Sequence, residues 1–275
     1  MAILERAKSQ KVSELLNMKA SFQLVTRGKS QRLSLLAAGL LLAGLCAACG
    51  YRYYAGPLQP LPDAQQHTGM QVSDDGTVLF VQERFEVGVR PQTDAELNRL
   101  YPAYSKGGME SINPYTYGDW KDPETGSTPQ RFTIFLLKVK NYSYPKVQID
   151  PLKVSLIASN GREYPALDPL EFDEYYRPYA TAYSGNLYDR YEERKDLFAS
   201  SRYASEPVFS GQEVQGFLVF PALHPDVQEL RLKLEDVAIR FDFRGDPIEV
   251  LDLEYLFFRE IGRIYPDGTT RMSSG

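Results

Sequence analysis

The chain has 275 residues, with 36 acidic and 31 basic side chains, so its formal net charge is −5 at neutral pH. A chain of this length can bury a hydrophobic core without disulfides or metals to support it. The acidic balance argues against nucleic acid as a partner. Two histidines and two cysteines leave few groups for a zinc site or a general base, so we expect no metal and no cofactor.

An apolar segment near the N-terminus, from Leu33 to Leu45, follows a stretch whose only charges are basic. About 13 apolar residues are too few to cross a membrane, which takes about 20, but they suit the apolar part of a signal peptide. Basic residues before such a segment hold that end in the cytoplasm, and here they are Lys19, Arg27, Lys29 and Arg32. Because residues 1–17 mix acids with bases, our hypothesis is that translation starts at Met18.

The apolar segment ends in Ala47-Ala48-Cys49, two small residues followed by a cysteine. This ending resembles the lipobox of bacterial lipoproteins. The resemblance implies that residues 1–48 are a cleaved signal peptide and that Cys49 receives a diacylglyceryl group, often with a further acyl chain such as palmitate. Gly50 stands where an Asp retains such proteins at the inner membrane, so we expect a lipid-anchored envelope protein of the outer membrane. The alternative is an uncleaved anchor in which Cys46 and Cys49 are simply small apolar residues.

The remainder of the chain divides into a linker, one domain and a tail. Residues 49–70 are rich in proline, which is typical of an extended linker. Residues 71–265 form the predicted domain, with a short capped helix over 93–100 and a loop over 101–130. Residues 266–275 are a predicted flexible tail. Short apolar or alternating runs between turn residues predict strands at 78–89 (as one or two), 132–141, 146–149, 154–158, 213–220, 229–234, 238–243 and 248–258.

This strand spacing predicts a mainly β protein built as an antiparallel β-sandwich. Phe132–Asn141, the turn at Asn160-Gly161 and the segment Gly211–Phe220 follow one another along the chain. Their order resembles the immunoglobulin-like domains of uncharacterised bacterial envelope lipoproteins. The resemblance covers residues 130–245 and implies an Ig-like fold, but it implies no activity.

A long insertion, residues 168–205, interrupts this pattern. Helical spacing from Asn186 to Arg202 predicts that the insertion is partly helical. Long insertions on a rigid scaffold often bind partners, and tyrosine supplies contact area at low entropic cost. The alternative is that the tyrosines pack on their own domain. The candidate binding residues are Tyr175, Tyr176, Tyr179, Tyr183, Tyr188 and Tyr191.

No catalytic constellation is visible in the sequence. His67 lies in the predicted linker and His224 lies between two prolines, and no Gly-x-Ser-x-Gly motif accompanies them. Acidic pairs in the insertion resemble the carboxylates of a glycosidase, but their spacing does not place them face to face. They are Glu171, Asp173, Glu174, Glu192 and Glu193. Arg244-Gly245-Asp246 has the composition of a hairpin turn.

Taken together, these patterns favour a non-enzymatic envelope lipoprotein that binds a protein or a glycan. One alternative is an envelope enzyme that acts on carbohydrate or peptidoglycan through the carboxylates of the insertion. Another is a component of a secretion or surface-assembly complex.

Overall fold

The structure is a computed structural model, and it describes residues 51–108, 111–181 and 187–273. For residues 179–181 and 187–188 only the backbone is described. The predicted signal peptide and Cys49 lie outside these ranges. The described residues fall into two units, a smaller one that includes residues 51–52 and 264–270 and a larger, compact one that includes residues 53–263 and 271–273.

The larger unit holds nearly all of the strands. In chain order, the strands are β1 (Arg52–Ala55), β2 (Gln59–Pro60), β3 (Met70–Val72), β4 (Val78–Gln82), β5 (Phe85–Gln92), β6 (Phe132–Asn141), β7 (Lys146–Val147), β8 (Val154–Ala158), β9 (Glu163–Pro165), β10 (Val208–Phe209), β11 (Gln212–Pro221), β12 (Glu229–Phe241), β13 (Pro247–Phe258), β14 (Ile261–Ile264) and β15 (Thr270–Met272).

Within the described residues, three α-helices accompany the strands: α1 (Asp94–Leu100), α2 (Pro169–Thr181) and α3 (Leu187–Ser201). Helix α1 begins as predicted, because the Thr93 side chain accepts from the backbone N–H of Glu96 while the Glu96 carboxylate accepts from that of Thr93. The insertion is partly helical as predicted: α3 lies in the segment 186–202 whose spacing is helical, whereas α2 was not predicted as a helix. The predicted cap at Asn186 lies outside the described residues.

Two five-stranded antiparallel sheets form the framework, which confirms the prediction of a mainly β protein. The first sheet has the order β11-β6-β5-β4-β3 and the second has the order β2-β13-β12-β8-β9. Two smaller sheets have the orders β10-β7 and β1-β14-β15.

Both large sheets contribute to one hydrophobic cluster. Val87 and Phe135 from the first sheet and Leu232 and Phe257 from the second are buried in it. Each of these strands alternates buried with more exposed residues over part of its length, as expected of a sheet with one face toward a core.

Strand β6 differs from its neighbours because its first half is buried on both faces. Phe135 and Leu137 belong to the cluster shared by the two sheets, whereas Phe132 and Ile134 point the other way into a second cluster with α1, α2 and α3. Further along β6, the residues on that outer face are Leu136, Lys138 and Lys140. This change explains why the sequence of β6 begins as a continuous apolar run and ends as an alternating one.

The structure selects one of the two alternatives predicted for residues 78–89, because they form two strands of a hairpin, β4 and β5. The two strands predicted over 229–234 and 238–243 are wrong as separate elements, because β12 is continuous from Glu229 to Phe241. A bulge between Leu234 and Val237, with Asp236 at φ 53°, absorbs the extra residue and keeps apolar side chains on the core face.

The predicted linker and tail include parts of the sheets. Within residues 49–70, β2 pairs with the end of β13, and the Gln66 amide bonds both backbone groups of Leu256. Within residues 266–275, residues Thr270–Met272 form β15. Proline at position 60 fits this location because β2 is an edge strand.

Candidate functional site

The helical insertion places its central tyrosines inside the protein. Tyr176 on α2 is 1% exposed and Tyr191 on α3 is 7% exposed. The Tyr176 hydroxyl donates to the backbone oxygen of Pro114 at 2.6 Å and accepts from the Arg131 guanidinium at 2.8 Å. Both tyrosines lie in the second hydrophobic cluster, where the rings of Phe172 and Phe198 stack at 3.7 Å.

The prediction that these tyrosines form a binding surface is therefore wrong for Tyr176 and Tyr191. Their rings fill the space between the two helices and the outer face of the first sheet, so little of either ring is accessible to a partner. Tyr175 is partly buried, with its ring 4.9 Å from that of Phe132. Tyr179 and Tyr188 lie in α2 and α3, with only their backbone described, and Tyr183 lies outside the described residues.

Two carboxylates of the insertion, Asp173 and Glu171, are engaged in structural contacts. Asp173 accepts from Tyr191 and Arg177 and lies 3.3 Å from the ammonium of Lys195, which ties α2 to α3. These hydrogen bonds, from Tyr191 first and then from Arg177, lower the pKa of Asp173 to about 2. Glu171 accepts from the backbone N–H of Asp168 at the start of α2.

Both histidines lie beside carboxylates on the surface. The Nε2 atom of His67 is 3.1 Å from Glu254, and the Nδ1 atom of His224 is 2.6 Å from Asp226. In the described part of the chain, no group of three or more His, Cys, Asp or Glu side chains is placed to hold a metal ion. No described helix is long and apolar enough to cross a membrane.

One carboxyl group has an acid–base character that the sequence did not indicate. Burial raises the pKa of Asp94, at the start of α1, to about 6, although the charge of Arg131 acts in the opposite direction. Asp94 lines a small cleft of about 170 Å³ with Gln130, Thr133 and Arg259. The guanidinium of Arg259 is occupied by the backbone oxygens of Val227 and His224.

A wider groove of about 660 Å³ lies on the uncovered half of the outer face of the first sheet. Its cations are each paired with a carboxylate. Lys140 lies 2.9 Å from Glu86, and Arg90 lies 3.0 Å from Glu96. Because each cation in the described lining has a carboxylate partner, the groove holds no spare positive charge for an anionic ligand.

A third groove, of about 760 Å³, lies at the end where the β12–β13 hairpin turns, and we call it the end groove. One wall is the hairpin, with Phe241, Ile248 and Glu249, and the other comes from the segment that joins β6 to β7. The ammonium of Lys146 lies 3.9 Å from the centre of the Phe241 ring. The remaining lining residues are Gln82, Glu83, Ser143, Tyr144, Pro145, Phe209, Ile239, Arg240 and Asp242.

Large apolar side chains are exposed at and beside this groove. Phe243 at the tip of the hairpin is 92% exposed, Ile248 is 66% exposed and Phe209 is 52% exposed. Arg244-Gly245-Asp246 forms the turn beside Phe243, as predicted, with Gly245 at φ 94°. Sequence reasoning identified this turn but missed the groove, although the apolar residues on both sides of the turn were a visible signal.

A scan against protein-family models found no match, and searches of curated proteins and of solved structures found none either.

Proposed function

We propose that this protein is a lipoprotein of the bacterial cell envelope, anchored through Cys49, whose Ig-like β-sandwich binds a partner protein at the end groove. The anchor rests on the lipobox resemblance of Ala47-Ala48-Cys49. The sandwich is supported by the two five-stranded antiparallel sheets and the hydrophobic cluster to which both contribute. The outer membrane is the proposed location because Gly50, and not Asp, follows Cys49.

The observation that carries the binding function is the exposed apolar rim of the end groove. A Phe or Ile side chain gains about 1.5 to 3 kcal/mol when it moves from water into an apolar contact. In the isolated chain, more than half of each of three side chains is exposed to water, so a partner that covers them would gain this free energy. They are Phe243, Ile248 and Phe209. A concave surface rimmed by such side chains is typical of protein interaction sites.

The contacts of the insertion carboxylates Asp173 and Glu171 argue against a catalytic role for them. A glycosidase needs one carboxyl group that stays protonated near neutral pH. Asp173 has a pKa near 2 and three cationic or hydroxyl partners, and Glu171 is bonded to the start of its helix. We therefore propose no hydrolytic reaction at the insertion.

The anchor is tested by labelling cells with a radioactive fatty acid. We expect label on the wild-type protein and on Cys46→Ser, and none on Cys49→Ser. An inhibitor of the lipoprotein signal peptidase should leave the longer, uncleaved form. Label that persists on Cys49→Ser would overturn the proposed anchor.

The groove is tested in native envelopes with a photo-crosslinking amino acid at position 209, on its rim. We expect a discrete crosslinked product that is lost in Phe243→Ser/Ile248→Ser. The matched control is Leu100→Ser, which removes an equally apolar side chain, 57% exposed, at the end of α1. A product that survives in the double variant, or is lost equally in Leu100→Ser, would contradict binding at the groove.

A further inference from the structure

Strand β13 is paired along its whole length on only one side. Residues 247–258 pair with β12, but on the other side β2 reaches only Phe257 and Phe258. The Gln66 side chain and the Leu61 N–H extend this cover to Leu256. Over residues 247–255, no strand of the described chain pairs with the other side of β13.

The backbone groups exposed along this edge follow from the pairing of Leu256. Its N–H and C=O both point toward Gln66 and Leu61, away from β12. Because the direction alternates along a strand, the backbone groups of Glu254, Asp252 and Val250 point the same way. They form a row of donors and acceptors that another strand can use.

The free edge runs directly into the end groove. Ile248 and Glu249, near the start of β13, also line the groove, and Val250, which follows them, is 44% exposed. A strand laid along the edge would therefore reach the exposed apolar rim. In strand addition, a partner peptide pairs with the free edge of a sheet: backbone hydrogen bonds provide affinity and side-chain pockets provide specificity. The edge of β13 offers the backbone groups and the end groove offers the side-chain contacts.

The net charge of the β12–β13 hairpin indicates which kind of strand would pair with the free edge of β13. Residues 229–258 carry eight acidic and four basic side chains. Arg240 pairs with Glu249 and Arg231 pairs with Glu254. Three acids, Asp242, Asp246 and Asp252, and one base, Arg244, have no ion pair with any described residue, so the unpaired charge of the hairpin is negative. A second copy of this chain would bring like charges together at the spacing of neighbouring strands, and this pairing is destabilising. A strand with basic side chains is attracted instead.

We infer that the partner adds a strand to the free edge of β13, and that this strand alternates basic and apolar residues. The inference rests on the proposed function, since it specifies how the partner engages the end groove. The net negative charge of the β12–β13 hairpin serves both to attract that strand and to repel other copies of the chain.

The chemistry can be tested with defined peptides and the full-length protein in detergent. The probes are fluorescein-labelled peptides of eight residues that alternate Lys with Val, Glu with Val, or Lys with Pro. We expect the Lys-Val peptide to bind, to lose affinity as salt rises, and to protect the amides of Val250 and Asp252 from hydrogen exchange. The Lys-Pro peptide has no backbone donor at half of its positions and the Glu-Val peptide has the wrong charge, so both should bind at least about tenfold more weakly.

Val250→Pro is the sharpest variant, because it removes an N–H that points away from β12. We expect it to weaken binding of the Lys-Val peptide about tenfold, the equivalent of one lost hydrogen bond. Val250→Ala keeps the N–H and should change affinity by less than about threefold. Equal binding by Val250→Pro and Val250→Ala, with both folded by circular dichroism, would overturn strand addition.

The crosslinking assay separates failure of this inference from failure of the proposed function. If Val250→Pro keeps the product formed from position 209 while Phe243→Ser/Ile248→Ser loses it, the groove binds a partner without strand addition. If Phe243→Ser/Ile248→Ser keeps the product, the proposal that the partner binds at the end groove is wrong. Loss in Val250→Pro and in the double variant, with retention in Val250→Ala, supports the inference.

Discussion

The hydroxyl of Tyr255 donates a hydrogen bond of 3.0 Å to the backbone oxygen of Val87. Tyr255 lies on β13 in the second sheet and Val87 lies on β5 in the first, so this bond crosses the core between the sheets. Tyr203 offers a contrast. It is equally buried, but its hydroxyl has no hydrogen-bond partner in the described part of the chain.

These two tyrosines should respond in opposite ways to replacement by phenylalanine. Tyr255→Phe leaves the Val87 oxygen without this donor and should lower the free energy of unfolding by about 1 to 2 kcal/mol. Tyr203→Phe removes an unsatisfied buried hydroxyl and should leave stability unchanged or raise it by about 1 kcal/mol. Urea unfolding measures both. A larger loss in Tyr203→Phe than in Tyr255→Phe would contradict the assignment.

Asp94 should make the protein less stable as pH rises. Its pKa is about 6 in the folded protein, above its ordinary value of 3.8, so the folded state holds the proton longer than the unfolded state does. Stability should therefore fall between about pH 4 and pH 6, by at most about 3 kcal/mol, and level off above. Asp94→Asn should remove this part of the pH dependence. Glu124→Gln, which removes a carboxylate at an exposed loop position, is the control variant in the same measurement.

Asp173 should change the pH dependence of stability in the opposite direction to Asp94. Its folded pKa of about 2 lies below its ordinary value of 3.8, so its contribution is present above about pH 4 and is lost as pH falls through 2. Asp173→Asn should lower stability at pH 7 by about 1 kcal/mol or less, because its ion pairs lie near the surface. Thermal melts of Asp173→Asn should differ from those of wild type more at pH 7 than at pH 2. Glu192→Gln, with its carboxylate 4.0 Å from Lys195, should have a smaller effect.

Gly216 in β11 should not tolerate a side chain. A Cβ atom at this position would collide with the backbone of Tyr203, whose N–H donates to the oxygen of Phe217 at 2.9 Å. Backbone atoms cannot turn aside as a flexible side chain can, so Gly216→Ala should cost about 1 to 3 kcal/mol. Gly56→Ala, with its nearest atom at 3.4 Å, is the matched control in the same urea assay. Equal stability of the two variants would rule out the close approach.

Local patterns predicted the elements that local chemistry controls. The Thr93–Glu96 cap, the turn at Asn160-Gly161 and the turn at Gly245 all follow from neighbouring residues. Helix α3 of the insertion was also predicted from spacing, but the sequence left open whether Tyr176 packs on its own domain or binds a partner. Its position depends on Arg131 and Pro114, which are 45 and 62 residues away along the chain.

The end groove was harder to predict for the same reason. Phe209, Tyr144 and Ile248 come from three distant segments, and only the folded sheets bring them to one groove. The continuity of β12 was missed because Glu235 and Asp236 read as a break between two strands, whereas a bulge accommodates them.

The two-sided burial of β6 has a consequence for how this domain can be modified. Phe132, Ile134, Phe217 and Val219 face α2 and α3, so excising the helices would present a broad apolar sheet face to water. A shortened protein would aggregate unless those four positions became polar at the same time. The helical hairpin is therefore an integral third layer, which evolution or an engineer can remove only together with a rewritten sheet surface.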